Sequence, residues 1–296
     1  MSNEFSDREI KQAVVDNYGA RARNALESVG VSSAAVDACC SPAGEASADA
    51  PQSLEFVELG SATAGHADGH ADACACATVG EAETDSSEYG ATLYPQADID
   101  EVPPAAQLAS AGCGNPVAIA ELGKGEAVLD LGSGGGIDCF LAAKQVGDEG
   151  EVWGADMTPD MVQLARHNAE QVDAKNVNFR LGEIEDIPFT DEHFDAVISN
   201  CVINLSPDKS KVFAEAFRVL KPGGRLRVSD IVITRDLPEE TKRDLEQWAG
   251  CVAGALPVDD YLGQIREAGF TDVSAEFHDG EDRGIASAYV SATRPA

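Results

Sequence analysis

The run Val128-Leu-Asp-Leu-Gly-Ser-Gly-Gly-Gly136 constrains this chain more than any other segment. Its first half is an apolar strand. Its second half is a glycine turn, where backbone amides approach a ligand that side chains would block. Twenty residues after Gly136, Asp156 ends a second apolar run, where a carboxylate can hydrogen-bond both hydroxyls of a ribose. From there strand and helix signals alternate regularly. Ala127–Leu131, Val152–Asp156, Val177–Leu181, Phe194–Asn200 and Leu226–Ile233 read as strands. Helices are expected after the glycine loop, from Pro159 behind Thr158 as cap, and from Pro207 through Leu220. Lys221-Pro-Gly-Gly224 is expected to stop the last helix and turn the chain into the next strand. A helix from about Pro238, another over Val258 to Ala268, and strands near Asp272–Phe277 and Ala286–Ala292 complete the layout. This order predicts an α/β, Rossmann-like fold: a doubly wound, mainly parallel sheet with its ligand crevice at the carboxyl ends of the strands.

Ahead of that domain lie two segments of different character. Ser6-Asp-Arg-Glu9 fits a capping box, and Ile10, Ala13, Val14 and Tyr18 follow at helical spacing, so residues 1–31 are expected to form a helical arm. Sequence leaves open whether the arm serves the site or only the surface. Residues 32–92 are rich in Ala, Ser, Gly, Asp and Glu with few large apolar groups. Such a composition does not offset the entropy of ordering and predicts a flexible linker, with the compact domain spanning 93–296.

The charge narrows the partners. Acids outnumber bases 52 to 21, a formal net charge of −31, and only eight of the basic residues are lysine. The acids are dispersed, which reads as a surface adapted to high salt, a halophilic trait; an acidic interaction tail is the alternative, but no block concentrates the charge. Such a surface repels nucleic acid and anionic membranes. No apolar stretch approaches the roughly 20 residues needed to cross a bilayer, and the acidic amino terminus has no signal-peptide core. Eight cysteines without an export signal point to reduced thiols in a cytoplasmic protein.

A glycine loop followed by a strand-end acid also serves nicotinamide dinucleotides. Two features favour S-adenosylmethionine instead. Asp130, just ahead of the glycines, suits the cationic amino-acid end of that methyl donor, whereas a pyrophosphate wants unobstructed amides. Gly182-Glu-Ile-Glu-Asp-Ile-Pro188, after the third strand, puts acidic and apolar groups where an adenine would lie. The candidate donor contacts are therefore Asp130, Gly132, Ser133, Gly134, Gly136, Asp156, Met157, Glu183, Ile184 and Asn200.

Three cysteine segments, Gly112-Cys-Gly-Asn-Pro116, Ser199-Asn-Cys-Val-Ile-Asn-Leu205 with Pro207-Asp-Lys209, and Trp248-Ala-Gly-Cys-Val-Ala-Gly-Ala-Leu256, complete the pattern. With them the chain resembles the arsenite S-adenosylmethionine methyltransferases, class I enzymes of Rossmann-like fold, over about residues 111–270 and more loosely over the first forty. The resemblance implies that Cys113, Cys201 and Cys251 bind trivalent arsenic as thiolates. It also implies that Cys39 or Cys40 exchanges a disulfide with Cys113 during turnover. A thiol reductant such as thioredoxin or a glutathione-like thiol would then restore the cysteines, and arsenite and methylated arsenicals would be the substrates, in arsenic detoxification. Thiolates are soft ligands matched to a soft metalloid. Cys139, on the helix after the glycine loop, reads instead as a small buried hydrophobe.

Two rivals remain at this level. A methyltransferase for a carbon or oxygen acceptor shares the loop but needs neither Cys201 nor Cys251. A non-enzymatic metalloid-binding protein on the same fold would keep the cysteines and dispense with Asp156. Separately, His66, His70, Cys74 and Cys76 fall within eleven residues. They form either a metal site or incidental ligands in a solvated linker.

Overall fold

The computed structural model describes residues 6–31, 90–235, 252, 254–279 and 284–296. Cys39, Cys40, the His66–Cys76 cluster, Cys251 and the helix expected from Pro238 lie outside these residues.

Seven strands form one sheet in the order β3-β2-β1-β4-β5-β7-β6. They are β1 (Ala127–Leu131), β2 (Glu151–Asp156), β3 (Val177–Leu181), β4 (Phe194–Asn200), β5 (Leu220–Ile233), β6 (Thr271–Asp279) and β7 (Ile285–Thr293). The first five pair in parallel, and β7 runs antiparallel to both β5 and β6. This is the expected Rossmann-like, mainly parallel sheet. The topology reverses direction between β1 and β4, and a crevice opens at the carboxyl ends of strands at such a switch point.

Alternation along the strands divides the core. Val128 packs with Ala196 and Ile198 on one face, whereas Leu129, Leu131 and Val197 pack on the other. The helices cover both faces: α5 (Ile137–Val146) and α6 (Pro159–Gln171) between the first strands, α7 (Lys209–Val219) and α8 (Val258–Glu267) later. Before β1 the chain makes a 3-10 turn (Gly90–Leu93) and three short helices, α2 (Gln96–Ile99), α3 (Pro104–Ala109) and α4 (Pro116–Ile119), which hydrophobic periodicity does not reveal because each is under two turns long. Two of them begin with proline, whose missing N–H costs nothing at that position.

Two boundaries differ from expectation. Helix α7 starts at Lys209, not Pro207, because Asp208 caps it by accepting the Lys211 N–H at 3.2 Å. Lys221-Pro-Gly-Gly224 does not precede β5 but forms an excursion within it. Leu220 already pairs with Phe194, pairing resumes at Ala196 with Arg225, and Gly223 sits at φ +80° with its N–H on the Arg294 carbonyl.

The amino-terminal helix α1 (Asp7–Ser28) carries the expected capping box, Ser6 accepting the Glu9 N–H and Glu9 accepting the Ser6 N–H. It docks on the domain. Ala22, Ala25 and Leu26 are buried against Ala105, Ala109, Met161 and Leu164 of α3 and α6, and Arg23 pairs with Asp160. Upstream, Val14 and Tyr18 lie half-buried at the mouth of the crevice.

Candidate active site

The glycine loop joins β1 to α5 above the switch point. Gly132, Gly134 and Gly136 all adopt left-handed backbone, at φ +68°, +51° and +94°. A Cβ on Gly132 would meet Val202 Cγ2 at 2.3 Å, while one on Gly134 would meet only Met161 Sδ at 4.0 Å. Gly134 is thus required by its backbone and leaves open space above it, whereas Gly132 is required by both backbone and contact. Gly136 begins α5 and does not line the crevice.

The crevice is lined by the glycine loop, by the carboxyl ends of β2 and β4, and by Lys11, Val14 and Tyr18 of α1. Asp156 stands on its wall. Its two carboxylate oxygens accept the Gly134 N–H at 3.0 Å and the Thr158 N–H at 2.8 Å, so the acid organises the loop as well as facing the cavity. Burial raises its pKa against those backbone hydrogen bonds. Ser133, Met157, Ile184 and Asn200 also line the crevice, and the buried Ser133 Oγ has no hydrogen-bond partner. That orphaned hydroxyl, the open space above Gly134 and the strand-end acid fit a polar adenosyl donor lying across the loop.

Two of the sequence-derived acids stand elsewhere. Asp130 is 2% exposed and does not line the crevice; its carboxylate accepts the Cys139 thiol at 3.3 Å. Burial, then the neighbouring Asp138, pushes the Asp130 pKa well up, and burial does the same to Cys139. Cys139 itself is fully buried, as expected of a core thiol. Glu183 is not on the crevice wall either; it bonds Lys11 from α1 at 2.6 Å, while the next acid, Glu185, lines the cavity.

The acid that does face the crevice beside the loop is Asp138, which the sequence reading passed over. It accepts the Tyr94 hydroxyl at 2.9 Å and the Asn200 amide at 3.2 Å, and burial raises its pKa to about 6. Its position two residues into the helix after the glycines was the available signal. Asn200, at the end of β4, is a junction. Its amide also bonds the Tyr94 hydroxyl and the Gly114 carbonyl, both at 2.8 Å, and its carbonyl accepts the Cys113 N–H at 3.0 Å.

Through that junction the crevice meets a thiol cup. Cys113 precedes α4, Cys201 follows β4, and both are buried, at 1% and 3% exposure. Their sulfurs and a carboxylate oxygen of Asp230, on β5, all lie within 4.8 Å of one another. Cys201 takes left-handed backbone at φ +62°, which costs a non-glycine residue about 1–2 kcal/mol, and its N–H is pinned to the Ser229 carbonyl at 2.7 Å. Cys201 is also the thiol on the crevice wall. The glycines flanking Cys113 permit the approach: a Cβ on Gly112 would strike Asn200, and one on Gly114 would strike Ser229. Ile231, Val252, Ala255 and Ile285 surround the sulfurs, so the residue following Cys251 packs against the cup. Asp230 accepts the Ile231 N–H at 2.9 Å and the Tyr261 hydroxyl at 3.1 Å; burial pushes its pKa up to about 7.

A crevice at the switch point of such a sheet, roofed by a glycine loop, is that of a Rossmann-like cofactor-binding domain, and residues 122–275 match the methyltransferase-domain family model, which places the chain in the methyltransferase class. Within that class the chain belongs to the arsenite S-adenosylmethionine methyltransferase family. It is 48% identical over 220 residues to the arsenite methyltransferase of Halobacterium salinarum, covering 71% of this chain and 56% of that protein. It is 42% identical to that of Aquipseudomonas alcaligenes, covering 64% and 55%. The chain thus spans about half the length of these curated relatives. Among solved structures, the arsenic(III) S-adenosylmethionine methyltransferase of Chlamydomonas reinhardtii superposes with a TM-score of 0.57 at 36% identity, over 68% of this chain and 73% of that one. Among the described residues no helix is long and apolar enough to cross a membrane.

Proposed function

We propose that this protein methylates trivalent arsenic, using S-adenosylmethionine as donor and Cys113, Cys201 and Cys251 as the thiolates that hold the acceptor. The observation that carries the reading is the buried meeting of Cys113 with Cys201, which lies on the wall of the donor crevice. Gly132, Ser133 and Gly134 would hold the donor by backbone and hydroxyl, Asp156 its ribose, Met157 and Ile184 its adenine, and Asp138 with Asn200 its amino-acid end. When bound, S-adenosylmethionine supplies an electrophilic methyl group. The chain's part is to hold the nucleophile. Arsenic on three sulfurs keeps a lone pair and has no proton to lose, so no protein base is required, and placement supplies the rate.

Turnover leaves the arsenic or the cysteines oxidised. Cys39 or Cys40 would exchange a disulfide with Cys113, and thioredoxin or a glutathione-like thiol would return the reduced state, in keeping with a cytoplasmic setting. The dispersed acidic surface is an adaptation to high salt in this reading, and the melting temperature is expected to rise from dilute to molar salt as repulsion is screened.

The deciding experiment incubates the protein with arsenite, labelled donor and a thiol, then separates arsenic species. Labelled methyl on arsenic, lost in Cys201→Ser and Cys251→Ser, is the expected result. Full activity in either variant returns the chain to a carbon- or oxygen-methylating role.

A further inference from the structure

We propose that Asp230 determines acceptor specificity, its carboxylate receiving the hydroxyl groups of the incoming arsenic oxyacid while the thiols take the arsenic itself. The inference rests on the arsenite reading of the same cup. Asp230 is fully buried near the carboxyl end of β5, in a strand whose neighbours Val228, Ile231 and Val232 are core residues. A carboxylate in such a place is costly, because water's hydrogen bonds to it are lost. Its structural partners do not account for an acid. The Ile231 N–H, the Tyr261 hydroxyl and the Asn204 backbone are three neutral partners, and Lys209 acts on the acid only through space, whereas a carboxylate offers about four acceptor positions. Lys209 does not neutralise it by contact, since that ammonium bonds the Asn204 and Ser206 carbonyls at 3.3 and 3.0 Å. The unused acceptor capacity lies within 4.8 Å of both sulfurs.

Among the described residues, little else in the cup can receive a hydroxyl. Ile231, Val252, Ala255 and Ile285 are apolar, and the Ser229 hydroxyl is already 3.7 Å from Cys113 Sγ as its partner. Arsenous acid arrives as As(OH)3. Each S–As bond forms as one As–O bond breaks, the thiol proton leaves with the hydroxide as water, and no oxidation state changes. Until each hydroxyl departs, it needs an acceptor in a buried cup, and Asp230 is placed to be that acceptor. Sulfur and carboxylate together select a soft centre that bears hydroxyl groups.

The test compares arsenite capture with a thiol reaction that involves no hydroxyl. Sodium arsenite binding to the full chain is measured by equilibrium dialysis. Modification of Cys113 and Cys201 by methyl methanethiosulfonate is followed by peptide mass spectrometry. In Asp230→Asn, which turns one acceptor oxygen into an NH2 donor, arsenite affinity is expected to fall about tenfold or more while thiol modification stays within about twofold. Tyr261→Phe keeps the core filled and removes the hydroxyl that holds the carboxylate in place, so a loss of about threefold with the same selectivity is expected even should the first variant fold poorly. Unchanged arsenite affinity in either folded variant, or an equal loss in both reactions, overturns the proposal. Wild-type protein that binds no arsenite while still binding donor overturns the arsenite reading and this inference with it.

Discussion

The glycine loop and the thiol cup share the carboxyl edge of one sheet yet are built in opposite ways. The loop is a contiguous stretch from Leu131 to Asp138 shaped by its backbone: three left-handed glycines and the Gly134 amide that Asp156 holds. The cup gathers Cys113 from ahead of β1, Cys201 from the end of β4 and Asp230 from β5, and it is built of side chains. Damage to the first should therefore act through conformation and fall on the donor. Damage to the second should act through ligand chemistry and fall on the acceptor. Asn200 touches both, bonding Asp138 on one side and the Cys113 N–H on the other.

The sharpest way to break this division is Cys201→Ser. A hydroxyl is a harder and far less acidic ligand, and an acceptor displaced by about 1 Å loses on the order of a hundredfold in rate. Arsenite methylation is expected to fall at least that far, with donor affinity by calorimetry unchanged. Cys139→Ser, in the loop-side core, should leave methylation nearly intact.

Gly132→Ala is the converse. Left-handed backbone costs about 1–2 kcal/mol and overpacking against Val202 a further 1–3, so donor affinity should drop about a hundredfold. Arsenite capture measured by dialysis should hold. An equal fall in both would show that loop and cup are one unit rather than two.

Asp138 probes the boundary between them through pH. Burial raises its pKa to about 6 from an ordinary 3.8. The folded protein therefore holds this proton more tightly than the unfolded chain does. The stability this contributes is full below pH 3.8 and is lost as pH rises through about 6. Asp138→Asn removes the titration, so urea unfolding should show wild type losing about 1–3 kcal/mol relative to the variant between pH 4 and 7. A gap that stays constant across that range would refute the assignment.

The two regions were unequally legible in the sequence for the same reason that they respond differently. Backbone demands write themselves locally, so Gly132, Gly134 and the alternation of β1 with α5 could be read from consecutive residues. Asp156 could be placed because a strand end fixes it. Asp130 shows the limit: its strand was read correctly, but which of two nearby acids faces the crevice depends on the pleat and on the packing of Cys139, and the structure gives that place to Asp138. Asp230 looked like one more residue of an apolar strand, since its neighbours in the cup are distant in the chain. Cys113 and Cys201 are singled out by the motifs around them and the resemblance those carry, not by any spacing between them; that their sulfurs meet is visible only in the structure. The excursion at Lys221–Gly224 escaped because a Pro-Gly-Gly turn and a strand bulge have the same composition, and only the pairing of Leu220 with Phe194 distinguishes them.

The smallest expected effect concerns the arm that closes over the loop. Lys11 of α1 bonds Glu183 at 2.6 Å and approaches Glu185 at 3.3 Å, joining the first helix to the segment after β3 across the crevice mouth. Both acids raise the Lys11 pKa, against the lowering effect of its partial burial, which is the largest single influence. Lys11 is a quarter exposed, Glu183 about half, and Glu185 only 8%, so solvent screens the pair with Glu183 more than the pair with Glu185. An ion pair of this kind contributes about 1 kcal/mol or less. Lys11→Met is accordingly expected to weaken donor binding by no more than about fivefold in dilute buffer. At molar salt, where the screening length is about 3 Å, the difference from wild type should vanish. Calorimetry of donor binding in both proteins across that salt range is the measurement. The remaining contacts of α1, Ala22, Ala25 and Leu26 in the apolar seam with α3 and α6, carry no charge to screen. A salt-independent loss would therefore mean that Lys11 contributes packing by its methylenes rather than charge, and that the arm is held over the loop by its apolar seam alone.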